Sequence, residues 1–142
     1  MSTSIFERAQ AIVSDAERVT RAHLRKVTLP GATFGLITLD NGEDHTKPNT
    51  FGPASLLSLN AAIDEALADD TVDAIAVTGK PFILAAGADL NAIQGGGPDA
   101  VRTVAELGHA VFRKLGEGGK PSFGLVNGLA LGGGLEVALH CT

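Results

Sequence analysis

The 142-residue sequence predicts an α/β fold in one domain, with a sheet whose strands are joined by crossover helices. Two observations carry this prediction. Short apolar runs alternate with amphipathic helical patterns, and Gly or Pro marks most of the boundaries between them. After an N-terminal helix, the predicted order is strand, strand, helix, strand, loop, helix, strand, helix, and such alternation is typical of crossover sheets.

The first half of the chain predicts two helices and a hairpin. Residues 4–18 have helical spacing, with small and branched apolar side chains on one face. Residues 19–29 and 34–39 are strand-like and separated by a Pro-Gly turn, so they predict a hairpin. A polar loop over residues 40–53 then leads to a helix over residues 54–68.

The second half continues the alternation. Residues 72–78 predict a buried strand, and Gly95-Gly-Gly-Pro98 predicts a flexible break before a helix over residues 99–115. The last strand is predicted at residues 122–126. An Asn-Gly turn and three glycines that open a final helix follow it.

Composition and charge exclude several function classes. The net charge is −5 with no run of Lys or Arg, so nucleic acid is not an expected partner. The single cysteine, Cys141, excludes an internal disulfide framework and fits a reducing compartment. The sequence has no secretory signal pattern and no apolar stretch as long as a membrane span. We therefore expect a cytoplasmic protein without membrane contacts and, because His23 and His45 have no partner at ligand spacing, without a metal site.

Two glycine-centred corners are the candidate functional motifs: residues 85–89, Ala-Ala-Gly-Ala-Asp, and residues 131–136, Leu-Gly-Gly-Gly-Leu-Glu. Each follows an apolar strand pattern and opens a helix or helical turn, where the first N–H groups have no partner within the helix. Two such groups can hold an oxygen that gains negative charge. Alternatively, the glycines only permit close packing of helix on strand. The carboxylate of Glu136, about one turn from the amide of Gly133, favours the functional interpretation.

These motifs resemble the crotonase (enoyl-CoA hydratase/isomerase) superfamily. Residues from about Phe34 to Thr142 are similar to its N-terminal half, through the segments Gly79–Leu90 and Lys120–Leu139 in the family's order and separation. The resemblance implies a crotonase-like (ClpP/crotonase) fold, a spiral of repeated ββα units, here incomplete at the C-terminus. We place an N-terminal helical extension at residues 1–18 and the family domain at residues 19–142.

The same resemblance implies the chemistry. It assigns the oxyanion-hole amides to Ala86 and Gly133 and the acid–base role to Glu136. In hydratases of the family a second glutamate acts with this residue, and its position lies beyond Thr142. The implied reaction is syn addition of water to a trans-2-enoyl-CoA, which gives a 3-hydroxyacyl-CoA in fatty acid β-oxidation. Coenzyme A is part of the substrate, and the step needs no metal or redox cofactor.

Further substrate contacts are expected at the corners. They are Ala85, Gly87, Ala88, Asp89, Leu90, Gly132 and Lys80. For Asp89, capping of the turn is favoured over lining the pocket. Lys80 and Lys47 are the best cations for the CoA phosphates, although a loop lysine is more often simply solvated. His109 and His140 are interpreted as packed or surface histidines.

The N-terminal extension and residues 45–52 resemble most closely the hydratase part of actinobacterial multifunctional β-oxidation proteins, in which a 3-hydroxyacyl-CoA dehydrogenase part follows. NAD is expected only if such a part exists. Residues 128–134 themselves lack both the Lys-Ser/Thr of a P-loop and the Gly-x-Gly-x-x-Gly of a dinucleotide turn. The sequence stops inside an apolar helical run, so we expect a longer protein, which forms a homo-oligomer or a multifunctional complex.

Several alternatives stay open. The chain can belong to an enzyme for another reaction of the family, such as double-bond isomerisation, thioester hydrolysis or decarboxylation. It can also be an acyl-CoA-binding fragment without turnover. ClpP-like peptidases share the broad fold, but the second corner carries no nucleophilic serine. Several isomerases of the family lack an acid where this chain has Glu136, which favours hydration.

Overall fold

The computed structural model describes residues 2–142 and confirms the α/β class. The helices are α1 Ile5–Ala11, α2 Pro53–Ala68, α3 Leu90–Ile93, α4 Gly97–Glu117 and α5 Gly133–Leu139. The strands are β1 Arg21–Leu29, β2 Ala32–Asp40, β3 Ala74–Gly79, β4 Phe82–Ala85, β5 Ser122–Gly124 and β6 Gly128–Ala130.

The strands form two sheets. The larger has the order β1-β2-β3-β5, in which β1 and β2 make the predicted antiparallel hairpin and the other pairs are parallel. Strands β4 and β6 form a separate parallel pair. Parallel neighbours require crossover connections, and α2 and α4 supply them between β2 and β3 and before β5.

The core lies between the large sheet and the two long helices. Most of its large, fully buried side chains come from β2 and β3, from α2 and from α4: Ile37, Leu39, Ile75, Val77, Leu56, Leu59, Ile63, Leu107, Val111 and Leu115. The apolar face of α2 is therefore buried. Each such side chain contributes about 1.5–3 kcal/mol through removal from water.

The N-terminal helix is shorter than predicted, because it ends at Ala11 and not near residue 18. The residues after α1 include Glu17, which contacts the N-terminus of α2. The buried carboxylate of Glu17 accepts the backbone N–H groups of Ala54 and Ser55, each at 2.9 Å, and the Ser55 hydroxyl at 2.7 Å. These are the first donors of α2, so Glu17 caps that helix from outside. If α1 continued to residue 18, the Glu17 carboxylate would not lie at the N-terminus of α2.

The predicted Asn-Gly turn is also wrong, because Gly128 begins strand β6. The Asn127 side chain instead connects the segment between β5 and β6 to the end of β3 and the residue after it. Its Nδ2 donates to the carbonyls of Gly79 and Lys80 at 3.2 and 2.7 Å. Strand β5 accordingly ends at Gly124, two residues before the predicted end at Val126.

Helix α4 begins inside the predicted flexible break. Its first residue is Gly97, and Pro98 occupies the first turn, where a missing N–H costs no hydrogen bond.

An apolar cleft lies over the large sheet and is lined by Val27, Leu29, Phe34, Leu36, Ala76, Phe123 and Leu125.

Candidate active site

The two glycine corners meet in the folded chain. Gly87 has φ 102° and Gly132 has φ 50°, a region that L side chains rarely adopt. A Cβ on Gly132 would lie 3.4 Å from the Cα of Gly87, and a Cβ on Gly87 would lie 3.8 Å from the Gly133 nitrogen. The backbones of the corners are therefore in contact, which the absence of side chains permits.

The small β4-β6 sheet brings the corners together. Each corner follows one of its two parallel strands, and parallel strands end at the same sheet edge. Phe51 fixes the first corner, since its N–H donates to the Gly87 carbonyl and its carbonyl accepts the Asp89 N–H, both at 2.8 Å. In the second corner, a Cβ on Gly134 would lie 2.0 Å from the Ala85 carbonyl oxygen, so α5 packs directly on β4.

The available amide of the first corner belongs to Ala88 and not to Ala86. The N–H of Ala86 donates to the carbonyl oxygen of Asn49 at 2.8 Å, so it cannot also bind a substrate oxygen. The N–H groups of Ala88 and Gly133 have no acceptor within residues 2–142. The expected assignment to Ala86 is corrected accordingly, and that to Gly133 agrees with the geometry.

Ala88, Gly133 and Glu136 line one cavity of about 220 Å³. The remaining lining residues come from α4, from α2 and from the loop before it: Phe51, Leu56, Val104, Ala105, Gly108, His109 and Phe112. Phe51 and Phe112 pack edge to face, with ring centroids 5.6 Å apart. The cavity therefore combines an apolar wall with two unpaired amides and a carboxylate.

Glu136 lies in the first turn of α5, and its backbone N–H donates to the Gly132 carbonyl at 2.9 Å. Its side chain is exposed and makes no hydrogen bond to residues 2–142. Because the carboxylate is one helical turn from the Gly133 amide, it can act on an atom next to a bound carbonyl. The structure thus brings together the predicted acid and two amides.

Several expected substrate contacts lie outside the cavity. Ala85 is completely buried in the core, so it does not line an acyl channel. The carboxylate of Asp89 is 4% exposed and accepts the N–H groups of Arg18, Asn91 and Ala92 at 2.8–3.2 Å. Asp89 is therefore the N-cap of α3, as the favoured interpretation has it, and not a pocket residue.

Leu90 and the corner glycines also differ from the expectation. Leu90 is 64% exposed at the start of α3 and is not part of the cavity wall. Gly87 and Gly132 act through their backbone, because each carbonyl accepts a hydrogen bond that holds its corner. Of the expected substrate contacts, Ala88 alone lines the cavity, and it does so beside the available N–H.

Lys80 does not offer a free charge to a phosphate. The residue is 5% exposed, and its Nζ contacts the Asn41 side chain and the carbonyls of Glu43, Asp44 and Lys47 at 2.5–3.0 Å. Burial lowers the pKa of this ammonium, and the nearby Asp40 partly opposes that effect. Lys80 therefore holds the loop after β2 in place, which corrects its assignment as a substrate contact.

His109 is the functional candidate that the sequence interpretation missed. It is exposed and lines the cavity from α4, opposite the helix that carries Glu136. The signal is present in the sequence, since Val104, Ala105, Gly108, His109 and Phe112 follow helical spacing and share one face. The position of that face beside the glycine corners depends on how α4 packs against α5, which the sequence pattern does not show.

Residues 2–142 contain no cluster of three or more His, Cys, Asp or Glu side chains arranged to hold a metal ion. Within the same residues, no helix combines the length and the apolar character that crossing a bilayer requires.

The chain is similar to known proteins over most of its length. A family model described as Enoyl-CoA hydratase/isomerase matches residues 31–142. Crotonyl-CoA hydratase from Syntrophomonas wolfei is 35% identical over 96 residues, which cover 66% of this chain and 36% of that protein. 4-Chlorobenzoyl coenzyme A dehalogenase-1 from Arthrobacter sp is 34% identical over 103 residues, which cover 68% of this chain and 37% of that protein.

The fold is similar to that of a solved enoyl-CoA hydratase from Bacillus anthracis. The TM-score is 0.75 at 23% sequence identity, and the match covers 85% of this chain and 45% of that one. At this identity the similarity shows the fold alone, and it confirms the expected crotonase-like fold over part of its length. The chain spans less than half the length of each of these three proteins.

Proposed function

Because this chain belongs to the enoyl-CoA hydratase/isomerase family, we propose that it carries the oxyanion hole and an acid–base residue of an enoyl-CoA hydratase. One observation carries the proposal: the free amides of Ala88 and Gly133 and the carboxylate of Glu136 line the same cavity. These are the groups that polarise a thioester carbonyl and activate a water molecule beside it.

The two amides bind the thioester carbonyl oxygen. When a nucleophile adds to the β-carbon of an enoyl thioester, negative charge moves onto this oxygen, and donors already in position stabilise it without reorganisation. Ala88 and Gly133 are held by separate strands of the small sheet, so their relative position is fixed before the substrate arrives. Removal of one such donor typically costs about 2.7–4 kcal/mol of transition-state stabilisation.

Glu136 acts on the water molecule. Its carboxylate accepts a proton as the water oxygen bonds to C3, and the electron pair of the C2–C3 double bond moves towards the thioester to form the enolate. The apolar wall of Phe51, Leu56 and Phe112 accommodates the acyl group and keeps bulk water away from it. The product is a 3-hydroxyacyl-CoA once C2 receives a proton.

Hydration is preferred over the other reactions of the family because of Glu136. The two curated relatives described above carry different names, one a hydratase and the other a dehalogenase, so family membership alone does not select a reaction. An oxyanion hole also serves isomerisation and thioester hydrolysis. A carboxylate one turn from the hole, at the edge of an apolar cavity, supports water activation at the β-carbon.

The decisive experiment compares Glu136→Gln with the purified protein, using crotonyl-CoA as substrate and mass spectrometry of the product. We expect the variant to lose about 10²–10⁴-fold in turnover, the usual contribution of acid–base catalysis, while binding of the thioester stays nearly intact. Glu117→Gln is the matched control, because Glu117 is an exposed residue of α4 paired with Arg113 and lies outside the cavity. Full turnover in Glu136→Gln would remove its assigned role.

The product identifies the reaction class. Formation of 3-hydroxybutyryl-CoA supports hydration, free coenzyme A would indicate thioester hydrolysis, and a shifted double bond in a longer enoyl-CoA would indicate isomerisation. Binding without any product would favour an acyl-CoA-binding role. Hydration redistributes electrons within the substrate, so we propose that it proceeds without metal or redox cofactor; unchanged turnover after treatment with a chelator would support this.

Assembly and location are further proposals. We propose that the complete protein forms a homo-oligomer or part of a multifunctional complex and acts in the cytoplasm. Sedimentation of the purified protein tests the first part, and fractionation of cells tests the second. The narrower likeness to actinobacterial multifunctional proteins, and with it the use of NAD by a following part, stays a prediction.

A further inference from the structure

Helix α4 contains three glycines, and the backbone explains only two of them. Gly97 begins the helix with φ 65°, a value that L side chains rarely adopt. At Gly116, a Cβ would lie 2.9 Å from the His140 carbonyl oxygen, so the end of α5 packs too closely for a side chain at this position. Gly108 has neither constraint, because it lies in the interior of the helix with an ordinary helical backbone.

The space around Gly108 would also accept a side chain. Apart from the adjoining helix backbone, the nearest atoms to a Cβ at this position are the Cδ1 of Leu56 and the Cε2 of Phe112, each at 3.9 Å. This is an ordinary van der Waals distance. A glycine in a helix interior destabilises the helix relative to alanine. Packing and helix propensity thus both favour a side chain at residue 108, so the reason for the glycine lies in the space that it leaves.

The missing side chain enlarges the cavity of the candidate active site. Val104, Gly108 and Phe112 follow one another at intervals of four residues, so they form one row on the face of α4. All three line the cavity, and Leu56 of α2 lines it beside them. The glycine therefore leaves a gap in this row, next to the side chains of Leu56 and Phe112.

Contacts of two aromatic rings relate this gap to the oxyanion hole. A Cβ on Gly133 would lie 3.3 Å from the Cδ2 of Phe51, so the Phe51 ring is next to that corner. The Phe51 ring packs on that of Phe112, with centroids 5.6 Å apart, and Phe112 borders the gap at Gly108. An acyl chain whose thioester carbonyl is held by the Gly133 amide therefore passes these two rings before its tail reaches Gly108.

We propose that Gly108 is a specificity-determining residue, which opens the cavity to unbranched enoyl thioesters longer than crotonyl-CoA, such as trans-2-hexenoyl-CoA. The side chains of Leu56, Val104 and Phe112 are apolar, so methylene groups that enter the gap leave water and strengthen binding. The cavity, at about 220 Å³, is smaller than the range of about 300–1,000 Å³ that is typical for drug-sized ligands, which sets an upper limit on the chain. This inference rests on the proposed function, because it names the acyl group of the same reaction.

Binding of saturated thioesters tests the gap without hydration, since they have no double bond to receive water. In the purified protein, calorimetry should show that hexanoyl-CoA binds about tenfold more tightly than butyryl-CoA, the effect of burying two further methylene groups. Gly108→Leu places an isobutyl group in the gap and should abolish this preference, while the affinity for butyryl-CoA stays nearly unchanged. Ala110→Leu is the matched control, because it adds a leucine to α4 outside the cavity and should retain the preference.

Gly108→Ala separates the effect on the substrate from the effect on folding. Its methyl group fits at 3.9 Å from the nearest side chains and removes an interior glycine, so the urea midpoint should rise. The same methyl group occupies part of the gap, so the preference for hexanoyl-CoA over butyryl-CoA should fall. If Gly108→Leu does not fold, this variant decides alone. An unchanged preference in Gly108→Ala, and in Gly108→Leu where it folds, would overturn the inference.

Turnover distinguishes this inference from the proposed function. Gly108→Leu should lower kcat/KM for trans-2-hexenoyl-CoA about tenfold or more and preserve it for crotonyl-CoA. If both thioesters are hydrated and the variant keeps the ratio of the unmodified protein, the hydratase proposal stands and the role of Gly108 is wrong. If the variant loses the binding preference but neither protein hydrates an enoyl-CoA, the role of Gly108 stands and the hydratase proposal is wrong. Absence of a preference for hexanoyl-CoA in the unmodified protein would overturn the role of Gly108 directly.

Discussion

The N–H of Ala86 donates to the carbonyl oxygen of Asn49 at 2.8 Å, and this bond determines which amide of the first corner can meet a substrate. Asn49 is completely buried, and its side-chain Nδ2 donates to the carbonyls of Leu39 and Leu84 at 2.8 and 3.0 Å. The residue is therefore a fixed part of the scaffold. With Ala86 engaged, the available donor of this corner is Ala88.

Replacement of Ala88 by proline tests this donor, because proline has no N–H. We expect Ala88→Pro to lower the turnover of crotonyl-CoA by about 10²–10³-fold, the usual loss for one oxyanion donor. Ala88→Gly retains the N–H and should keep most of the turnover. Equal urea midpoints for the two variants would show that the loss is not due to unfolding, and equal turnover would contradict the role of this amide.

The candidate site could be predicted only in part, because some of its contacts join residues that are far apart in the sequence. Alternating strand and helix patterns and the glycine corners are local signals, so the fold class, Gly133 and Glu136 could be predicted. The choice between Ala86 and Ala88 depends on Asn49, a loop residue distant in sequence, and the place of His109 depends on how α4 packs. Sequence spacing carries no direct signal for either contact.

Lys80 should contribute to stability and not to phosphate binding. In Lys80→Met, three loop carbonyls lose the ammonium that donates to them, and a hydrogen bond to a charged group contributes about 1.5–3 kcal/mol. We expect the free energy of unfolding to fall by about that amount in urea denaturation, with little change in the affinity for a CoA thioester measured by calorimetry.

The control for Lys80 is Lys47→Met, which removes an exposed lysine paired with Glu43 four residues away. Such surface pairs contribute about 0.3–0.5 kcal/mol, so this variant should unfold almost like the unmodified protein. A large loss of CoA affinity in Lys80→Met at unchanged stability would contradict the structural role and restore the phosphate contact.

Asp69 should make the stability of the chain sensitive to acid. Hydrogen bonds from the Thr71 hydroxyl and backbone N–H, and then Lys26, lower the pKa of this carboxyl from 3.8 to about 2. A depressed pKa in the folded state means that the stabilisation is fully present above about pH 4 and is lost as the pH falls towards 2. NMR titration of the Asp69 carboxyl should therefore show a midpoint near 2.

The variant Asp69→Asn tests the same linkage through stability. The difference in unfolding free energy between this variant and the unmodified protein should shrink as the pH falls from about 4 to 2, because the unmodified carboxyl then becomes protonated as well. Asp70→Asn, at the exposed neighbouring position, is the control for removal of a charge outside the Thr71 hydrogen bonds. A constant difference for Asp69→Asn across this range would contradict the depressed pKa.

Substitution of Gly134 should lower both the stability of the chain and the activity of its candidate active site. A Cβ at this position would lie 2.0 Å from the Ala85 carbonyl oxygen and 2.5 Å from its carbon, so Gly134→Ala must push α5 away from β4. Overpacking of this kind costs about 1–3 kcal/mol. Because α5 carries Gly133 and Glu136, the displacement should lower turnover of crotonyl-CoA by more than the loss of folded protein explains.

Gly95→Ala is the control, since no heavy atom lies within 4 Å of its Cβ position, and it should change neither quantity. If Gly134→Ala retained both stability and turnover, direct packing of α5 on β4 would not be what positions the acid against the oxyanion hole.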